Sequence, residues 1–165
     1  MLMNRSPKIV TPGTRLTTSA AVRSNVLVIC AAEIPLTTNC AALISEITET
    51  SVLVNFWATS CVTCVAEMPK LIATHQRYHG QGYETLAVAM SYDPPSYVVN
   101  FAQTRQLPFK VAIDNTGAVA REWGDVKLTP TTFLVNKRGE IVKRFVGSPN
   151  FEELNQLIEK LLAET

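Results

Sequence analysis

Ser51-Val52-Leu53-Val54-Asn55-Phe56-Trp57-Ala58-Thr59-Ser60-Cys61-Val62-Thr63-Cys64 runs an apolar segment into two cysteines spaced as Cys-x-x-Cys. The stretch reads as a strand that turns into a helix, with the first sulfur at the helix N-terminus. Free backbone N–H groups and the helix dipole favour negative charge at such a place. A thiol becomes a good nucleophile by becoming a thiolate, and that setting lowers its pKa. The second thiol follows one turn later, close enough to attack a mixed disulfide formed at the first. The pattern predicts dithiol–disulfide exchange.

Bulk properties bound the alternatives. A chain of 165 residues, 47% hydrophobic and 18% charged, can bury a core without covalent staples. Its formal net charge of +1, without a long Lys/Arg run, argues against nucleic acid or an anionic membrane as partner. Four cysteines, unevenly placed, do not make a disulfide scaffold. No run approaches the roughly 20 apolar residues of a membrane span.

Residues 1–25 carry Arg5, Lys8, Arg15 and Arg23 with no acidic residue, and Val26 to Ala32 is a short apolar stretch. Together they read either as a secretory signal or as a disordered arm leading into a buried strand. The long basic lead and short apolar centre favour the arm, which leaves 26–165 as one domain. A lipoprotein cleavage before Cys30 is disfavoured because Ile29 is not small.

Strands and helices alternate from there. Val26 to Cys30 suits a strand covered on both faces. Cys40, Leu43, Ile44 and Ile47 fall on one face of a helix. Strand Val52 to Phe56 leads into a helix from about Cys61 to about His79, and Tyr83 to Met90 is the next strand. Asp93-Pro94-Pro95 breaks the chain before a helix through Tyr97, Val98 and Phe101 to about Gln106. Phe109 to Ile113 reads as a strand and Ala118 to Trp123 as a short helix. Thr131 to Val135 and Glu140 to Val146 are strands joined by a turn ending in Gly139. Asn150 with Glu153 resembles a capping box, opening a helix whose apolar face is Phe151, Leu154, Leu157, Ile158, Leu161 and Leu162.

That order resembles the thioredoxin fold, an α/β architecture with a central mixed sheet flanked by helices. Val54-Asn55-Phe56-Trp57-Ala58-Thr59 before Cys61-x-x-Cys64, then Glu67-Met68-Pro69, looks like the TlpA/ResA branch of the thioredoxin superfamily. Thr129-Pro130-Thr131-Thr132-Phe133-Leu134-Val135 followed by Gly139 matches the second hallmark, a loop whose proline is cis in this family. The branch also carries an inserted helix and strand, here at about 91–117. The resemblance covers roughly residues 26–163.

Several residues depart from thioredoxin proper. Val62-Thr63 matches none of the familiar dipeptides, which leaves the direction of electron flow open. Ser60 stands where many relatives have a second Trp, and Asn55 where thioredoxins have a buried Asp. Asp93 falls near the place where ResA-like proteins hold an acidic residue beside the site. It reads there as an acid/base group or as a turn residue.

The resemblance implies a mechanism residue by residue. Cys61 is the nucleophile and Cys64 the resolving thiol. A cis Pro130 would aim the Thr129 backbone at an extended substrate segment. Trp57 packs under the site or helps bind, and Pro69 kinks the helix. Gly147 leaves room for substrate or simply makes a turn. No cofactor beyond the reversible Cys61–Cys64 disulfide and no metal is expected. The partners implied are protein thiols and disulfides, with an upstream electron donor such as a membrane thiol reductase, for a monomeric chain. Family resemblance points to a bacterial periplasm or cell envelope; the unconvincing signal segment points to the cytoplasm.

Cys30 and Cys40 read as buried inert thiols, with a disulfide between them as the other option. Cys61, Cys64, His75 and His79 superficially resemble a zinc finger. One helix through all four, however, would separate Cys61 from His75 by about 21 Å, and His75 and His79 read more simply as exposed positions near a helix end. Covalent haem fails because Val65, not His, follows Cys64. A peroxiredoxin-like antioxidant would need a Pro/Thr-rich loop before the cysteine. A non-catalytic thioredoxin-fold binding or chaperone module would need neither cysteine.

Overall fold

The computed structural model describes residues 27–30 and 50–164. The arm at 1–25, the helix face of Cys40, Leu43, Ile44 and Ile47, and the Cys30–Cys40 pairing lie outside the described residues or side chains. Strands β1 (Leu27–Cys30), β2 (Ser51–Trp57), β3 (Tyr83–Ala89), β4 (Lys110–Asp114), β5 (Thr131–Val135) and β6 (Ile141–Val146) form one mixed sheet. Its order is β1-β4-β3-β2-β5-β6; β5 alone runs opposite to the others, antiparallel to both of its neighbours β2 and β6. The helices are α1 (Val62–Tyr78), α2 (Pro95–Thr104), α3 (Ala118–Glu122) and α4 (Phe151–Ala163). This is the expected thioredoxin fold, and α2 with β4 supplies the expected helix–strand insertion. Among the described residues no helix is long and apolar enough to cross a membrane.

β2 is mostly apolar because both of its faces are covered. Leu53 and Trp57 meet α1, α2 and α4, in a core with Met68, Leu71, Val98, Leu154 and Ile158. Val52, Val54 and Phe56 point the other way, towards Leu86, Val88, Val119, Phe133 and Val135. With Ser51, Asn55 is one of two buried polar residues that β2 places on the α1 face. There its Nδ2 donates to Thr132 Oγ1 at 2.9 Å and to Glu67 Oε1 at 3.1 Å.

The helix ends show local chemistry at work. Asn150 Oδ1 accepts from the Glu152 and Glu153 N–H groups, as an N-cap should. The return half of the expected capping box is absent, because the Glu153 carboxylate pairs with Lys143 on β6 at 3.2 Å. α2 ends at Thr104, two residues before the expected Gln106, which adopts a positive φ of 49°. Tyr97, expected on its apolar face, is exposed; Val98 and Phe101 make the core contacts.

Candidate active site

Sheet register gathers the site. Trp57 at the end of β2 pairs with Ala89 at the end of β3. Phe56 pairs with Thr131 at the start of β5, and Thr131 with Val146 at the end of β6. The Cys61 turn, the Asp93 loop, the Thr129-Pro130 loop and Gly147 therefore all leave from one edge of the sheet.

Cys61 and Cys64 are joined as a disulfide, with Cα atoms 5.2 Å apart. Cys61 is the N-cap of α1, and its Sγ accepts from the Cys64 N–H at 3.2 Å. The sulfur thus occupies the place of a capping oxygen, where helix N–H groups stabilise a thiolate. Cys61 is half-buried and Cys64 is 0% exposed. An incoming disulfide can reach only the first of them.

Behind the cysteines sits Glu67, one turn past Cys64 on the buried face of α1 and 3% exposed. Burial raises its carboxyl above the usual carboxylate range; the Ser148 hydroxyl, Asn55 amide and Lys70 charge pull less strongly the other way. Such a group can hold a proton where an exposed carboxylate has lost it. In the sequence Glu67 stands out only within Glu67-Met68-Pro69. The available signal was an acidic residue in helical phase with Cys64, Met68 and Leu71.

Glu67 carries a prediction about stability. Its folded pKa is raised, so the folded chain keeps this proton to higher pH than the unfolded chain. Its contribution is therefore most favourable at low pH and declines as pH rises through the folded value. Glu67→Gln removes that decline and keeps an oxygen for Asn55. Denaturation midpoints should show the variant gaining on wild type as pH rises above the ordinary carboxylate range. Parallel curves for the two proteins would refute it.

Asp93 is buried, and both of its oxygens serve one residue. Oδ2 accepts from the Thr59 N–H and Oδ1 from the Thr59 hydroxyl, each at 2.6 Å. The geometry makes it the anchor of the turn before Cys61, reaching across from the loop after β3. Asp93→Ala leaves the Thr59 N–H without its partner. It should cost about 2–4 kcal/mol in chemical denaturation, since bonds to a charged acceptor are worth more than neutral ones.

The Thr129–Pro130 peptide is cis. Its loop is tied on three sides: Gly147 N–H to the Pro130 carbonyl at 2.8 Å, Thr131 hydroxyl to the Leu128 carbonyl at 2.7 Å, and Tyr92 hydroxyl to Thr129 Oγ1 at 3.1 Å. Gly147 has φ +84°, which explains glycine there better than space does. Trp57, expected to pack under the site or to help bind, is fully buried with its ring 5.1 Å from that of Phe101. It can influence substrate only through the residues above it.

The zinc-finger quartet is not assembled, because Cys61 caps one end of α1 and His79 the other. His75 is also not exposed, as the sequence suggested, but packed against Phe109 beneath β3.

Residues 32–158 match the Redoxin family. The chain belongs to that family. This Redoxin domain is 33% identical over 110 residues to thiol-disulfide oxidoreductase ResA of Bacillus thuringiensis subsp. konkukian, covering 67% of the chain and 62% of that protein. The ResA of Geobacillus thermodenitrificans is 36% identical over the same shares. The chain thus spans less than two thirds of the length of these curated relatives. Among solved structures, a thioredoxin candidate from Neisseria meningitidis matches with TM-score 0.69 at 37% identity, over 73% of this chain and 80% of that one. A candidate thiol:disulfide interchange protein DsbE from Chlorobium tepidum matches with TM-score 0.65 at 30% identity, over 73% and 85%. These likenesses set the Redoxin domain within the thioredoxin superfamily, on its ResA-like side.

Proposed function

We propose that the protein is a thiol–disulfide oxidoreductase that reduces protein disulfides. The observation that carries this reading is the accessible Cys61 sulfur at the α1 N-cap, bonded to a fully buried Cys64. In the reduced chain the Cys61 thiolate attacks one sulfur of a substrate disulfide; that bond breaks and the substrate's other sulfur leaves as a thiolate. Glu67 takes the Cys64 proton, and the Cys64 thiolate attacks Cys61 Sγ. The Cys61–Cys64 disulfide closes, the second substrate thiolate leaves, and two electrons have passed to substrate. A dithiol donor must return them, and a membrane thiol reductase fits that need.

Substrate backbone pairs with the exposed edge at Leu128-Thr129, held in place by Tyr92 and Gly147. The likeness to ResA proteins supports a reductant in a bacterial envelope compartment, acting on apocytochrome c or another envelope protein. No cofactor enters this cycle. The test joins turnover to potential. The chain should accelerate insulin reduction by dithiothreitol, and its potential should lie near the reducing end of this fold's span of about −270 to −120 mV. No acceleration would defeat the oxidoreductase reading, and a potential near the upper end would reverse its direction.

A further inference from the structure

The end of α1 remote from the disulfide holds a second cluster. His75 and His79, one turn apart, stack with ring centroids 4.7 Å apart. β3 brings Glu84 to them, with its Oε1 2.6 Å from His79 Nδ1. One ligand-capable atom from each of the three lies within 4.8 Å of the others. We propose that His75, His79 and Glu84 form a binding site for a divalent first-row transition metal ion, with zinc as the representative.

Two imidazoles and one carboxylate are a donor set that zinc accepts, with a fourth position left to solvent. Copper(II) and nickel(II) would suit the same donors. An ion pair between His79 and Glu84 explains those two residues but not why His75 is held against them. His75 is supported like a ligand. Its Nδ1 lies 3.2 Å from Thr85 Oγ1, and its ring packs edge-on to Phe109. Thr85 Oγ1 gives its own proton to the Tyr83 hydroxyl, so Nδ1 donates to it and Nε2 keeps its lone pair in a fixed ring.

The rim is open where the core is not. The His79 side chain is 58% exposed and that of Glu84 22%, so an ion can enter from solvent. Tetrahedral ligation at about 2.0–2.2 Å needs ligand atoms about 3.3–3.6 Å apart. Rotation of the exposed His79 ring can supply the contraction. The cysteines are too far along α1 to join the histidines in one site. Glu84, on β3 rather than on that helix, takes their place. A bound ion would fasten the C-terminal turn of α1 to β3, about 21 Å from the redox sulfurs.

The experiment uses tag-free chain with the Cys61–Cys64 disulfide oxidised and any remaining thiol alkylated, which removes cysteine as a ligand. Calorimetric titration with zinc chloride should show one ion per chain, and the melting temperature should rise with zinc. Cobalt(II) should give visible ligand-field bands without a thiolate charge-transfer band. H79Q and E84Q should each weaken zinc at least about tenfold and keep insulin reduction at the wild-type rate. Absence of zinc uptake by wild type, or uptake that survives both substitutions, would overturn the site. Neither result bears on the redox reading, whose sulfurs are blocked from binding.

Discussion

Cys61→Ser is expected to reduce the kcat/KM for disulfide reduction by at least about a thousandfold, while Cys64→Ser should accumulate a covalent complex with its substrate. The asymmetry follows from burial. Cys61 is the half-buried N-cap whose sulfur already accepts a helix N–H, and Cys64 lies fully inside the core cluster with Met68 and Leu71. Removing Cys61 removes the one sulfur of the pair that a protein disulfide can approach. Removing Cys64 leaves the attack intact but deletes the group that ends the mixed disulfide. Non-reducing electrophoresis after mixing with a disulfide substrate reads the difference directly: a new band for C64S and none for C61S. The opposite pattern would exchange the two roles. Turnover by C64S at the wild-type rate would remove the resolving step altogether.

Phe56→Ala should be the most damaging single truncation on the other face of the sheet, at about 3–5 kcal/mol. Phe56 is 0% exposed on central strand β2, with its ring 6.0 Å from that of Trp123 and 5.8 Å from that of Phe133. The neighbours belong to α3's flank and β5, so the cavity spans three elements and cannot close by moving one side chain. A loss of that size is a large share of the roughly 5–15 kcal/mol that holds a domain folded. It should lower the melting temperature by about 6–20 °C. Ile141→Ala is the control, since its side chain on edge strand β6 is 54% exposed and should cost within about 0.5 kcal/mol. Equal melting of the two variants would contradict the packing described.

Much of this was legible along the chain. Strand-like runs bounded by turn residues marked every described strand to within about two residues, because strands buried on both faces, such as β2, are mostly apolar. The two cysteines and the Thr129-Pro130 loop stood out as motifs. Departures came where a side chain chose a partner on another element. Glu153 left its cap for Lys143, and Asp93 reached back to Thr59. Local spacing carries no information about such choices.

Cys61-Val62-Thr63-Cys64 determined by itself the chemistry to look for, because the reactivity of a dithiol at a helix start is a local property of sulfur and nearby N–H groups. Only the tertiary structure decided what surrounds it. Glu67 became a candidate proton acceptor once α1 pressed it against Asn55 on β2, and burial raised its pKa. His75, His79 and Glu84 became a cluster only when β3 was laid beside the end of α1. Burial and convergence are properties of packed elements, and no single stretch of chain contains them.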